Sequence, residues 1–99
     1  MRLLKLLPLA LVALALALSA GTAGAIVPPT NCGMQSVNGH RYQIKADQLR
    51  CRRAKRYSRS YLRSGHRPSG YHCKNYRASQ TKLKFRCARG IKVFFAIRH

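Results

Sequence analysis

Acidic side chains are almost absent from this chain of 99 residues, which has one acid, Asp47, against 20 Lys and Arg. Its formal net charge is +19 at pH 7. A single carboxylate cannot form the carboxylate pair of the usual glycosidases or aspartic proteases. A Ser-His-Asp triad would have to use Asp47. The composition therefore argues against these hydrolases, and we expect a protein that is not an enzyme.

The sequence also lacks closely spaced pairs of cysteines that could bind a metal ion. His72 adjoins Cys73, but the chain has no C-x-x-C pair of the kind that begins a zinc-finger site. In an oxidising compartment the thiols are better used as disulfides. We therefore expect no metal ion and no cofactor.

Long apolar runs are limited to the start of the chain. Residues 6–18 are apolar apart from an interruption at Pro8, and this run is too short for a comfortable membrane span. Arg2 and Lys5 precede it, and Ala23-Gly24-Ala25 follows as an A-x-A cleavage pattern, which is typical of a secretory signal peptide. We expect cleavage after Ala25, with Ala20 as the alternative, and a secreted mature chain of residues 26–99.

Disulfide bonds between the four cysteines are the expected source of stability for a chain with so much positive charge and so small a core. The mature chain keeps 18 Lys and Arg against one acid, a net charge of +17, and charge repulsion opposes compact folding. A core of this size is also marginal. All four cysteines lie in the exported part, where disulfides persist. Two bridges would each contribute about 2–4 kcal/mol to stability.

The pairing of the cysteines stays open, because four cysteines allow three pairings. We prefer Cys51–Cys73 with Cys32–Cys87. Cys51 is expected to face the sheet from a helix, and Cys32 would then tie the N-terminal arm to the sheet.

Residue patterns divide the mature chain into an arm and one small domain. Pro28-Pro29 disfavours regular structure, so 26–36 is predicted as an irregular N-terminal arm, and 37–99 as the domain. Tyr42 and Ile44 alternate with polar residues, which predicts a half-buried strand. Alternation also predicts strands in 71–77, 82–87 and 91–97, with a hairpin loop at 88–90.

The basic segment LRCRRAKRYSRSYLRSG, residues 49–65, predicts a helix. Asp47 is a suitable N-cap and Gly65 a suitable terminating residue, so the helix should span about 48–63. Ala54 and Ser58 share one face with other uncharged residues, and most of the arginines lie opposite. The fold class is therefore α+β: a single small disulfide-stapled domain in the order β-α-β-β-β, with one basic amphipathic helix packed on a three- to four-stranded antiparallel sheet.

The predicted core collects the inner faces of these elements. In the last strand, Phe94 is expected to point outward while its odd-numbered neighbours point inward. The predicted core residues are Tyr42, Ile44, Ala54, Tyr61, Leu62, Leu83, Phe85, Ile91, Val93, Phe95 and Ile97.

The spacing of cysteines and small residues resembles that of small secreted proteins common in actinobacteria. The shared pattern is Cys32-Gly33, the run from Ile44 to Ala54, the run from Gly70 to Cys73, and the run from Cys87 to Gly90 before a final strand with phenylalanine. The resemblance covers most of 32–97 and implies the same small fold. Such proteins are mostly uncharacterised, so it implies no active site, and the pattern does not require this strong basicity.

Binding to anions is the function that the charge favours, because arginine and lysine release counterions from polyanions and arginine grips phosphate with two donors. We predict two basic surfaces, the outer helix face and the outer sheet face, with Tyr76 and Phe94 as candidates for stacking on bases. The predicted anion-binding residues are Arg52, Arg53, Lys55, Arg56, Arg59, Arg63, Lys74, Lys82, Lys84, Arg86 and Lys92. The expected partner is an anionic polymer or membrane surface, including nucleic acid, bound by a monomer without a small-molecule substrate.

Three alternatives stay open at this point. The charges are attracted to polyanions at low salt but need serve only as a solvated surface. A cationic antimicrobial protein would use the same charges to permeabilise membranes. A small secreted ribonuclease would use two of the four histidines with a lysine, but the sequence shows no paired geometry for that chemistry.

Overall fold

The computed structural model describes residues 27–99, so the predicted signal peptide, 1–25, lies outside the described residues. One helix and five strands follow one another along the described chain. Their bounds are β1 Thr30–Val37, β2 His40–Asp47, α1 Cys51–Ser64, β3 His72–Asn75, β4 Leu83–Arg89 and β5 Lys92–Arg98. The protein is a small α+β domain, as the sequence predicts.

The sheet is antiparallel throughout and has the strand order β1-β2-β5-β4-β3. The prediction of three or four strands is one strand short, because most of the supposed irregular arm, 26–36, belongs to β1. A two-residue turn joins β1 to β2, with positive φ at both Asn38 and Gly39. This is the backbone combination that matches the twist of a tight hairpin. Pro28-Pro29 ends before β1 begins and does not interrupt it.

Helix α1 begins later in the chain than expected from the predicted N-cap, Asp47. Its N-cap is Arg50, without a side-chain capping hydrogen bond, whereas Asp47 is the last residue of β2. The predicted cap at Asp47 is therefore wrong, because the chain turns through a left-handed residue, Gln48, before the helix starts. The other end agrees with the prediction. Gly65 is left-handed, and its N–H donates to the Tyr61 carbonyl at 2.8 Å.

Aromatic rings fill the core between α1 and the sheet. Phe94 is fully buried, and its ring centroid lies 5.4 Å from that of Tyr71, 5.7 Å from Tyr57 and 5.9 Å from Phe85. In register, Phe94 lies between Ala46 of β2 and Cys87 of β4, both also buried. Helix α1 packs on β1, β2 and β5, and it contributes Ala54 and Ser58 to this interior.

The predicted orientation of β5 is therefore inverted. Phe94 and Ala96 lie on the helix side of the sheet, so Phe95 and Ile97 lie on the other face and are half-buried. Ile91, which was predicted to be in the core, is 75% exposed. The predicted core positions Tyr42, Ile44, Ala54, Phe85 and Val93 are buried as expected; Tyr61 and Leu62 pack against the core.

Both disulfides form, but not in the preferred pairing. Cys32 of β1 bonds to Cys51 at the start of α1, and Cys73 bonds to Cys87, its register partner on the neighbouring strand. The preferred pairing, Cys51–Cys73 with Cys32–Cys87, is wrong because β1 and β4 are three strand spacings apart in the sheet. That separation is about 14 Å, beyond the Cα–Cα reach of a disulfide at about 7 Å.

Candidate anion-binding surface

A concavity of about 440 Å³ opens where α1 begins, and we call it the arginine concavity. Gln48 and Leu49, from the turn between β2 and α1, line it, and Leu49 also packs against the core. Lys92, from the start of β5, lines it as well. The residues that line it are Gln48, Leu49, Arg50, Arg52, Arg53, Arg56 and Lys92, which place five cations around one space without an acid.

The helix start adds positive potential to this space. The first turn of α1 contains no acidic residue, and the first helical N–H with a partner inside the helix is that of Ala54, which donates to the Arg50 carbonyl at 2.9 Å. The preceding amides are the unpaired donors of a helix N-terminus, where the helix dipole is positive. Arginines gathered there repel both the dipole and one another. An anion in the concavity would relieve that repulsion.

The remaining predicted helix cations extend this charge along the helix. Arg59 and Arg63 are exposed, and Lys55 is half-buried with its ammonium group beside Gly33 of β1. The guanidinium of Arg56 lies 5.7 Å from the centre of the Tyr57 ring, which is within cation–π distance. All six predicted helix positions therefore lie in α1, and Arg52, Arg53 and Arg56 meet at the arginine concavity.

The sheet face away from the helix holds a second, flatter group of cations. Strand register places Lys74, Arg86, Phe95 and Lys45 side by side across four strands. Like charges directly opposite each other, as in Lys74 and Arg86, destabilise a sheet unless an anion intervenes. The ammonium of Lys74 also lies 5.2 Å from the centre of the half-buried Tyr76 ring.

The stacking prediction is wrong for Phe94, which is buried. Phe95 takes the place expected for Phe94 on this face, and alternation does not reveal the exchange because V-F-F-A-I is apolar on both faces. Tyr76 remains on the surface beside Lys74.

Three predicted sheet cations do not join that flat group. Lys92 belongs to the arginine concavity, and Lys82 is exposed in the loop before β4. Lys84 lines a different concavity at the far end of the sheet, near Arg98 and two histidines. The predicted cations of the outer sheet surface are thus divided among four places: the flat group, the arginine concavity, the loop before β4 and the concavity at the far end of the sheet. Arg50 was missed, because only the late start of α1 places it at a helix end.

Tyr71 lies under the helix and reports on the local field. Burial raises the pKa of its hydroxyl above the ordinary 10.0, and the nearby Tyr57 adds to the rise. The positive charges of Arg89 and Arg53 lower the pKa of Tyr71 and only partly offset the burial. Gly70, with φ of +81°, leaves room for the Arg89 side chain, which would lie 3.2 Å from a Cβ at that position.

Metal binding and membrane crossing find no support in the described part of the chain. Within residues 27–99, no three His, Cys, Asp or Glu side chains are grouped so that they could hold a metal ion. The same residues contain no helix that is long and apolar enough to cross a membrane.

The chain matches no protein-family model, no curated protein and no solved structure. The resemblance to secreted actinobacterial proteins therefore stays a prediction.

Proposed function

We propose that this is a secreted, strongly cationic binding protein for phosphate-bearing anionic polymers or surfaces, such as nucleic acid, cell-envelope polymer or lipid head groups. One observation carries the proposal: five cations converge on the arginine concavity without an acid among its lining residues. In this proposal α1 is a basic amphipathic helix that buries Ala54 and Ser58 and presents its arginines to the ligand. Two disulfides, Cys32–Cys51 and Cys73–Cys87, are compatible with an extracellular location.

Arginine geometry favours phosphate as the recognised group. Each guanidinium offers a planar fork of donors that matches two phosphate oxygens, whereas lysine acts as a point charge. Four of the five cations in the concavity are arginine. Binding there is not catalytic, since permanently charged guanidinium groups do not exchange protons at neutral pH.

A purely solvated surface explains this arrangement less well. Isolated surface charges need no partner, but a cluster at the positive end of a helix dipole destabilises the fold locally. The row with Lys74 opposite Arg86 repeats the same unfavourable pattern on the other face. Two independent groups of unbalanced charge favour a ligand that neutralises them.

Membrane permeabilisation is the less favoured alternative. An inserting helix must offer an apolar face to lipid. The uncharged face of α1 is occupied by the sheet, and the bond from Cys51 to Cys32 fastens the helix start to β1. We therefore expect binding to anionic membranes without leakage of their contents.

The test compares two variants of equal charge. The first is R52Q/R53Q/R56Q/K92Q, which removes four cations of the arginine concavity. The matched control is R67Q/R77Q/K82Q/R89Q, which removes four exposed cations outside that concavity. Binding to single-stranded DNA is measured over a range of salt concentrations, and intact mass together with thermal unfolding confirms that both variants fold.

We expect the concavity variant to bind much more weakly, with the slope of log K against log salt shallower by roughly 2–3, since each phosphate contact contributes about 0.7. The control variant should show a smaller loss of affinity and a smaller change in the salt slope. Equal losses in the two variants would mean that total charge, and not the concavity, governs binding. Dye-loaded vesicles of anionic phospholipid complete the test, because rapid leakage on binding would favour the antimicrobial alternative.

A further inference from the structure

One face of the sheet is covered by the helix, and the other face has no such cover. Helix α1 packs on β1, β2 and β5 from one side, and within residues 27–99 no other helix or strand packs on the opposite side. We call this opposite side the bare face. It carries the row Lys45, Phe95, Arg86 and Lys74, one residue from each of four strands.

The centre of the bare face is more apolar than a solvated face requires. Phe95 and Ile97 of β5 are half-buried there, and Val93 on the same strand is only 9% exposed. An antiparallel strand with one solvated face normally alternates apolar and polar residues, whereas a strand that is covered on both faces is apolar throughout. The central strand β5 has the second pattern, although the helix covers only one of its faces. Its composition therefore favours a ligand on the bare face.

Cations flank this apolar centre. Register places Lys45 on one side of Phe95 and Arg86 on the other. Lys74 lies one strand beyond Arg86. Neighbouring strands are about 4.8 Å apart, so the row spans about 14 Å. Asp47, the one acid of the chain, lies two residues beyond Lys45 along β2 and outside this row. The row thus presents a flat apolar ring between positive charges.

The Phe95 ring has no stacking partner in the described part of the chain. The ring contacts within residues 27–99 do not include Phe95, and no cation of these residues lies over its ring. The half-buried ring of Tyr76 differs, because the Lys74 ammonium already lies 5.2 Å from its centre. Phe95 is therefore the ring of this face that is available for a ligand.

A ligand that suits this row has flat apolar surfaces joined by negative charges. Single-stranded nucleic acid has this character, because its bases stack on aromatic rings while its phosphates contact cations. In a duplex the target base must first be unstacked. A second copy of the protein would bring like charges together, which is costly. Phe95 is half-buried between longer cationic side chains, so it does not reach past lipid head groups to the acyl chains.

We propose that the bare face binds single-stranded nucleic acid, with one base stacked on Phe95 and the adjoining phosphates held by Lys45 and Arg86. This inference rests on the proposed binding function and names one ligand class for it. It also adds a second surface, since no residue of the row lines the arginine concavity. Binding at the bare face depends on the presence of bases and not on charge alone. It has little sequence preference, because every base has a face that can stack.

The test compares oligothymidylate with an abasic oligonucleotide of the same length, which has the same phosphates but no bases. We expect the oxidised protein to bind oligothymidylate about 10-fold more tightly, a typical gain from one stacked base. F95L keeps an apolar side chain but removes the ring, so it should lose this preference. Its salt slope should not change, because no cation is removed.

Two further variants sharpen the assignment to Phe95. F95W should keep the preference, and because the chain has no tryptophan, its fluorescence should report directly on stacking. Oligothymidylate should quench that fluorescence, and the abasic oligonucleotide should not. Y76L is the matched control, since it removes the ring that Lys74 already engages, and it should keep the preference. Thermal unfolding verifies that each variant is folded.

The outcomes separate this proposal from the proposed function. Equal binding of the two oligonucleotides would overturn base stacking and leave polyanion binding standing, whereas binding of neither would overturn both. A preference that persists in F95L, or that Y76L loses equally, would also overturn the proposal. Fluorescence of F95W that responds to anionic phospholipid vesicles but not to oligothymidylate would assign the bare face to lipid instead. A dimer in sedimentation that F95L abolishes would assign the face to a second copy.

Discussion

Two concavities of this protein, the arginine concavity and one of about 700 Å³ at the far end of the sheet, are both rich in cations and both lined without an acidic side chain, but they differ in the kind of base they contain. The arginine concavity holds four guanidinium groups and one ammonium, whose charge is permanent at neutral pH. The concavity at the far end of the sheet is lined by His40 and His99 together with three cations, Arg41, Lys84 and Arg98. The comparison shows that positive charge gathers at both ends of the sheet in different chemical forms, as permanent charge alone at one end and as permanent charge beside imidazoles at the other.

Loss of the disulfide beside the arginine concavity should have the largest effect, because it should lower both the stability of the protein and its binding to DNA. We expect C32A/C51A to lower the free energy of unfolding by about 3 kcal/mol. A disulfide that closes a loop of this length restricts the unfolded chain by about that amount of free energy. Since this bridge fastens the start of α1 to β1, DNA binding should weaken even where the variant remains folded. Urea unfolding measures the stability, and binding is measured in the same buffer.

C73A/C87A is the matched control for this prediction. Its bridge spans 14 residues against 19, so its loss should cost a similar free energy of unfolding. It joins β3 to β4, away from the helix start, and binding per folded molecule should change little. Equal weakening of binding in both double variants would mean that the Cys32–Cys51 bond has no special part in shaping the arginine concavity.

Replacement of Arg98 should lower the stability of the protein but leave the arginine concavity intact. R98Q removes charge-assisted hydrogen bonds to three carbonyls, and we expect a loss of about 1.5–3 kcal/mol in the free energy of unfolding. DNA binding per folded molecule should stay within about twofold of the original, because Arg98 does not line the arginine concavity. R77Q, at an exposed loop position, is the control for lost charge. A large loss of DNA binding in R98Q would show that the two concavities are not independent.

Alkaline pH should produce the smallest effect, at the tyrosine beneath the helix. Because burial raises the pKa of Tyr71 above 10.0, the folded state holds this proton more tightly than the unfolded state. The resulting stability is fully present below pH 10.0 and is lost as the pH rises through the folded pKa. The fall in the free energy of unfolding between about pH 9 and pH 11 should therefore be smaller in Y71F. The control Y76F should show the same fall in the free energy of unfolding as the original protein. An equally large fall in Y71F would contradict the prediction.

Features with a strong local cause could be predicted from the sequence. Gly65 ends the helix because a left-handed residue there closes the last turn. Phe85 and Cys87 are buried on β4, where apolar and charged residues alternate without ambiguity. The burial of Ala54 and Ser58 on α1 could also be predicted, since the 3.6-residue period places them on one face.

Features decided by tertiary structure could not be predicted in this way. In β1, Gly33 has φ of +89° and the register shifts between Asn31 and Gly33, so the strand does not show regular alternation. The run of apolar residues around Phe94 fits either face, and only pairing with β2 and β4 selects one. The placement of His40 and His99 at the same end of the sheet depends on β2 lying beside β5, which no local pattern reveals.

The irregularity in β1 has a consequence for the protein at high local concentration. When many copies gather on one polyanion, their positive charges are neutralised and no longer keep the copies apart. Exposed sheet edges would then be free to pair between molecules. The β1 edge is broken at Cys32, and the Gly33 N–H there donates to the Asn31 side chain at 3.0 Å. The other edge, β3, has only four residues and is fastened to β4 by a disulfide. Both sheet edges are therefore poor templates for strand pairing between copies that a polyanion would bring together.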